Sequence, residues 1–164
     1  MQEKTCCVTG HREMPEAYTE DIKAALRREV LQAVQDGYTR FLSGFAEGVD
    51  QWFAGIVAQL CREDPALRLD AAIPYRKRLE ALKKKEDTKM LLDACTDIII
   101  IGEEYRQGIY EKRNRFLVEQ SGRVIAVYDG REKGGTVTTM RLAHRMKKEL
   151  REIPAGPIHI PGKT

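Results

Sequence analysis

The sequence lacks any apolar run near the ~20 residues that a membrane-spanning helix needs, so no membrane span is expected. Its opening, MQEKTCCVTG, has no basic segment followed by a long apolar one, and a cytoplasmic address is the expectation. Aromatics are scarce, at 7% of 164 residues with one tryptophan, and the formal net charge is only +3. That balance leaves nucleic acid open as a partner without favouring it, because surfaces that bind single strands combine strong positive charge with stacking rings. There is no CxxC pair, and the three histidines, His11, His144 and His159, stand apart from the four cysteines. No zinc motif follows from such spacing, and the cysteines read as reduced small hydrophobes. Neither a metal nor a cofactor is expected. No GKS or GKT closes a glycine-rich loop, which disfavours ATP hydrolysis of the P-loop type, and no GxGxxG follows the first strand. Repeats, linkers and low-complexity tracts are also missing, so residues 1–164 read as one domain.

What is present alternates. Thr5–Thr9, Thr39–Leu42, Leu67–Ile73, Asp97–Ile101 and Val124–Tyr128 are short apolar runs that predict strands. Between them, apolar residues recur at helical spacing, as in Ile22, Leu26, Val30 and Val34, or Val49, Phe53, Ile56, Val57 and Leu60. Pro15 suits a first helical turn and Gly37 a stop. Arg76–Ala94 predicts one charged helix, with a break left open; Gly108–Gln120 and Val137–Leu150 predict two more. The run DIIII at 97–101 reads as a central strand buried on both faces. A last edge strand is expected near Ile158–Ile160. Strands alternating with helices imply an α/β fold: a doubly wound, mainly parallel sheet with helices on both faces.

In such a sheet the ligand crevice lies beyond the carboxyl ends of the strands. Four loops follow strands there, at residues 10–15, 43–50, 102–108 and 129–136. They hold Gly10, Gly44, Gly48, Gly102, Gly108, Gly130, Gly134 and Gly135, eight of the 13 glycines. One such glycine is best read as a turn. The set, gathered at one rim beside helix N-termini with free N–H donors, favours a phosphate-bearing ligand. Gly134–Gly135–Thr136 is the best phosphate candidate, with Thr138 and Thr139 able to cap the helix or donate from their hydroxyls. Asp50 serves equally as a first-turn acid or as a ribose ligand. His11 and Arg12 could face an anion. In Arg113–Asn114–Arg115 the two arginines point to different sides of one helix, so at least one is expected to face inward. His144 reads as surface, and the basic run at 76–89 as a solvated helix face.

Taken in order, SGFAEGVD at 43–50, RNR at 113–115 and GGTVTT at 134–139 resemble segments of DNA-processing protein A. With TGHR at 9–12 the chain is still more similar to the small stand-alone YpsA-like proteins of the SLOG superfamily, which also holds the LOG phosphoribohydrolases. The resemblance implies a Rossmann-like domain binding nucleotide-derived ligands, with Ser43, Gly44, Gly48, Asp50, Arg113, Gly134, Gly135 and Thr136 lining the site. LOG enzymes also use a glutamate after a PGGxGTxxE segment. Arg141 stands in its place here, and Glu103, Glu104 and Glu111 are the alternatives.

The leading expectation is a binding or sensing domain for a nucleoside phosphate or ADP-ribose-like molecule. An N-glycosidic hydrolase acting on nucleotides, with Arg113 on the phosphate and Asp50 or a loop glutamate on the base or water, is the alternative. Single-stranded DNA binding is the third. A homo-oligomer is left open.

Overall fold

The computed structural model describes residues 3–155. Six strands form one sheet: β1 (Thr5–Gly10), β2 (Arg40–Ser43), β3 (Arg68–Tyr75), β4 (Asp97–Gly102), β5 (Arg123–Tyr128) and β6 (Glu149–Pro154). Their order is β4-β3-β2-β1-β5-β6, and every pairing is parallel. The crossovers carry α1 (Thr19–Gln35), α2 (Val49–Glu63), α3 (Arg76–Lys83), α4 (Glu86–Asp93), α5 (Ile109–Gln120) and α6 (Gly135–Arg145).

Neighbouring strand residues point to opposite faces, and β1 divides the interior accordingly. Cys6 joins Leu26 of α1 and Phe53 of α2 in the larger core, where Phe53 meets Phe41 at 6.2 Å between ring centroids. Cys7 joins Leu117 of α5 and Leu142 of α6 in the smaller one. The sheet therefore has helices on both faces, as the alternation of elements predicts. All four cysteines are unpaired thiols, and no helix among the described residues is long and apolar enough to cross a membrane.

Four expectations need correction. The DIIII run is an edge strand, β4, with Ile98 37% exposed. Its Ile99 packs on the smaller core and Ile100 on the larger, so apolarity reports two covered faces, not two neighbouring strands. Pro74 does not end β3, which runs on to Tyr75. The β2 pairing stops at Ala71, and beyond it β3 has only β4 beside it, where a missing N–H is tolerated. Arg76–Ala94 is two helices, α3 and α4. Finally, α6 stops at Arg145 instead of reaching Leu150. Lys147 takes a left-handed φ of 58°, after which Glu149–Pro154 pairs with β5. The strand expected near Ile158–Ile160 lies outside the described residues.

Charged knots tie the strand starts. Asp70, 0% exposed, accepts from Arg40 Nε at 2.7 Å, Arg68 Nη2 at 2.6 Å and the Asp97 backbone N–H at 3.0 Å. These groups open β2, β3 and β4. On the other flank Arg123 Nη2 reaches Asp36 at 2.7 Å and Glu149 at 3.0 Å, linking β5, β6 and the end of α1. Its buried Nε and Nη1 find no hydrogen-bond partner among the described residues. The Tyr38 ring, 4.7 Å from the guanidinium, offsets part of that loss.

Burial opposes the charge on Asp70, but the Arg68 and Arg40 hydrogen bonds outweigh it and hold the carboxyl below its usual range. The stability it contributes is full above about pH 4 and is lost as pH falls further through the depressed folded value. Asp70→Asn is expected to cost about 2–4 kcal/mol by urea unfolding at pH 7, since it strands two arginines. The gap from wild type should narrow in acid.

Candidate functional site

Strand order reverses between β1 and β5: the chain steps from β1 toward β4 on one side, then returns to β5 on the other. At such a switch point the carboxyl ends diverge and leave a crevice. A cavity of about 450 Å³ opens there. Its walls are the loop after β1, the start of α2, the inner face of α5 and the turn into α6.

The turn SGFAEGVD builds the floor. Ser43 Oγ donates to the Asp50 carbonyl at 2.9 Å and accepts the Phe45 N–H at 3.2 Å, folding the turn on itself. Phe45 is buried at a left-handed φ of 57°, and its neighbour Gly44 turns its carbonyl toward α5. There Arg113 Nη1 donates to it at 2.7 Å. A side chain on residue 44 would place Cβ 2.8 Å from that Nη1, so the close approach requires glycine. Gly48 has φ 81°, and a Cβ there would lie 2.7 Å from the Arg12 carbonyl. The opening glycines of this motif thus serve close backbone and side-chain approach. Ser43, Gly44 and Gly48 shape the cavity without lining it.

The other expected residues, Gly10, His11, Arg12, Asp50, Arg113, Gly134, Gly135 and Thr136, do line it. Arg113 is 5% exposed. Its Nε donates to Asn114 Oδ1 at 2.9 Å, and Nη2 has no hydrogen-bond partner among the described residues. Arg115, by contrast, is exposed and pairs with Glu119. Asp50, in the first turn of α2 and 6% exposed, accepts the Ala46 N–H on Oδ2 at 3.2 Å. Burial pushes its carboxyl up to about 6, against the pull of Arg113, the Ala46 N–H and Arg12.

His11 joins the two sides of the switch point. Its Nε2 accepts the Asp129 backbone N–H at 3.2 Å and lies 3.1 Å from Asp129 Oδ1. Burial lowers the imidazole below its ordinary range despite Asp129, so the neutral ring is favoured at pH 7. Asp129 is clamped by Arg131, whose hydrogen bonds hold the carboxyl at about 2. At the turn into α6, Thr138 Oγ1 donates to the Gly134 carbonyl at 3.0 Å and Thr139 Oγ1 to the Gly135 carbonyl at 2.7 Å. Those hydroxyls neither cap the helix nor point their protons at a ligand, which corrects the expectation for both threonines. The free donors of α6 are its first backbone N–H groups.

Residues not predicted also line the cavity, among them Glu13, Ala46, Tyr110, Asn114 and Arg131. Tyr110 lies one helical turn before Arg113, a spacing that could have flagged it. Glu13, Ala46 and Arg131 fall within the crevice loops expected at 10–15, 43–50 and 129–136, although no pattern singles them out there. Of the alternative carboxylates, Glu103 pairs with exposed Arg76, while Glu111 lines a second hollow of about 360 Å³ that shares Tyr110, Asn114, Gly134 and Gly135 with the first. Arg141 is exposed on α6, outside both hollows. The loop at 102–108 does not line the first cavity. Among the described residues, no three His, Cys, Asp or Glu side chains gather to hold a metal ion.

A raised carboxyl has a measurable cost. The folded state holds the Asp50 proton more tightly than the unfolded chain, so stability falls as pH rises between about 4 and 6. Asp50→Asn should remove that slope and be more stable than wild type by about 1–3 kcal/mol at pH 8, compared by urea unfolding at pH 4.5 and 8.

The chain is similar to known proteins over most of its length. The family model described as the YspA SLOG family matches residues 6–158. A UPF0398 protein of Bacillus thuringiensis (strain Al Hakam) is 29% identical over 135 residues, covering 80% of this chain and 73% of that protein. UPF0398 proteins of Bacillus cereus strains AH187 and AH820 match to the same extent. The X-ray structure of TM1055 superposes with a TM-score of 0.53 at 17% identity, over 90% of this chain and 72% of that one, a likeness of fold. With the sheet order, the switch-point cavity and a family match spanning nearly the whole sequence, this chain belongs to the SLOG family of YpsA-type proteins, on a Rossmann-like fold.

Proposed function

We propose that the cavity binds a nucleotide-derived small molecule through its phosphate, as a binding or sensing domain. The carrying observation is the convergence of a buried guanidinium with an unpartnered Nη2, an exposed Arg12 and the open N-terminal turn of α6 around one hollow of about 450 Å³. That volume lies within the range of small-ligand sites. Arginine's planar fork suits a phosphate, and the backbone donors of a helix start add to it. The ligand class is a nucleoside phosphate or an ADP-ribose-like molecule.

A thermal-shift screen with nucleoside monophosphates, ADP-ribose and ribose 5-phosphate tests this reading. A ligand at 100 times its Kd stabilises by about 2.7 kcal/mol, roughly 5–10 °C for a chain of this size. Arg113→Ala should abolish the shift. Because Arg113 also anchors the Gly44 turn, the exposed Arg12→Ala is the cleaner variant, expected to weaken binding about tenfold. No shift with any of these ligands at millimolar concentration would refute the reading.

One observation favours a second reading, N-glycosidic hydrolysis. Asp50 sits on the cavity wall with a carboxyl near 6, so at neutral pH it can give or take a proton. As an acid it would protonate the departing base; as a base it would activate water. Liberated adenine, followed by chromatography after incubation with AMP, distinguishes turnover from binding. If turnover occurs, Asp50→Asn should lower it by about 100-fold or more. Binding without release of base leaves the sensing reading alone.

A further inference from the structure

Three of the six tyrosines meet beside the cavity, although they come from different elements. Tyr75 closes β3, Tyr105 stands in the loop after β4, and Tyr110 opens α5. Tyr75 sets its ring edge-on to both others, with centroids 5.6 Å from Tyr105 and 6.1 Å from Tyr110, and its hydroxyl lies 3.4 Å from the Tyr110 hydroxyl. Tyr105 and Tyr110 are 6.4 Å apart. Tyr105 nevertheless remains 61% exposed, so the cluster gains little from burying it. On its inner side Tyr110 lines the cavity, and the Arg12 and Arg113 guanidinium groups lie 5.3 and 5.7 Å from its ring.

We infer that the Tyr75–Tyr105–Tyr110 cluster is a stacking platform for the heterocyclic base of the ligand whose phosphate the cavity holds. The inference rests on the phosphate-binding reading above and adds the other end of the molecule. Rings are suited to this because tyrosine has two side-chain torsions to fix and presents a large flat face. Tyr105 keeps an edge contact with Tyr75 and a tilted one with Tyr110. The Arg12 and Arg113 guanidinium groups lie over the Tyr110 ring, and all three residues line the same cavity, so cations and ring stand within one ligand's reach. Stacking reads the presence of a base without reading its hydrogen-bonding edge, so the platform selects nucleotides over sugar phosphates and discriminates weakly among bases. The occupant is a free nucleotide. A nucleic-acid strand would have its backbone tracked by a groove, whereas the phosphate site here is a hollow.

Isothermal titration calorimetry of the full chain with AMP and with ribose 5-phosphate tests the inference, because the two ligands differ by the base alone. AMP is expected to bind about tenfold tighter or more. Tyr105→Ala should collapse that ratio toward one, and Tyr105→Trp should keep it, with thermal melting confirming that each variant is folded. Equal affinity of the two ligands in wild type, or an unchanged ratio in Tyr105→Ala, overturns the platform while leaving the phosphate site standing. Binding of neither ligand removes both. A deoxyadenosine decamer that binds far tighter than AMP, with steep salt dependence, overturns the free nucleotide as occupant.

Discussion

Arg113 is 5% exposed, and its side chain is held by its own helix at Asn114 and by one bond to another element, the Gly44 carbonyl. Its bond to the Gly44 carbonyl spans from α5 to the turn after β2. That bond sets how far α5 stands from the start of α2, and so sets the width of the hollow between them. The turn is shaped to receive it. Ser43 braces the loop, Phe45 tolerates a left-handed φ, and residue 44 has no side chain to collide with Nη1. A lost partner for a buried charge costs several kcal/mol, so the floor of the cavity and the fold of the loop depend on the same contact.

The all-parallel sheet divides its labour between two rims. At the strand starts, Asp70 and Arg123 gather opposite charges from adjacent strands into ion-paired knots, with only Nε and Nη1 of Arg123 left unpartnered among the described residues. At the carboxyl ends, the polar groups are under tension instead. Asp50 is buried with a carboxyl that resists ionisation, His11 is pushed toward its neutral form, and Arg113 keeps an unpartnered nitrogen. One rim is arranged for stability. The other holds groups whose environment the protein leaves incomplete, which is where functional sites concentrate perturbed titration.

Membership of the SLOG family and the Rossmann-like fold agree with that division, and neither names a ligand. Fold is compatible with many chemistries, so the argument for function rests on the cavity itself. The cavity carries Arg12, Arg113 and the start of α6, beside a neighbouring group of rings. Between them they suit a molecule with a charged end and a flat end. Arg141 is exposed on α6, and Asp50 is the buried carboxylate that lines the hollow.

The strand and helix pattern was legible in the sequence because it is local: a short apolar run in Thr5–Thr9 and a period of 3.6 in Ile22–Val34 depend only on which faces are buried. The SGFAEGVD turn and the divergence of Arg113 from Arg115 were legible for the same reason. Helical spacing could not say which arginine turns inward, since that depends on where α5 packs. Nor could four isoleucines reveal that β4 is an edge strand, because apolarity responds to covered faces and strand order is a property of the whole sheet. Glu149 and Leu150 looked like a helix end until the left-handed Lys147 and the pairing with β5 put them in a strand. The Thr138 and Thr139 hydroxyls, the clamp of Arg131 on Asp129 and the meeting of three tyrosines were decided only in three dimensions. Each joins groups by distance, and a linear chain records spacing along itself but not proximity between its distant parts.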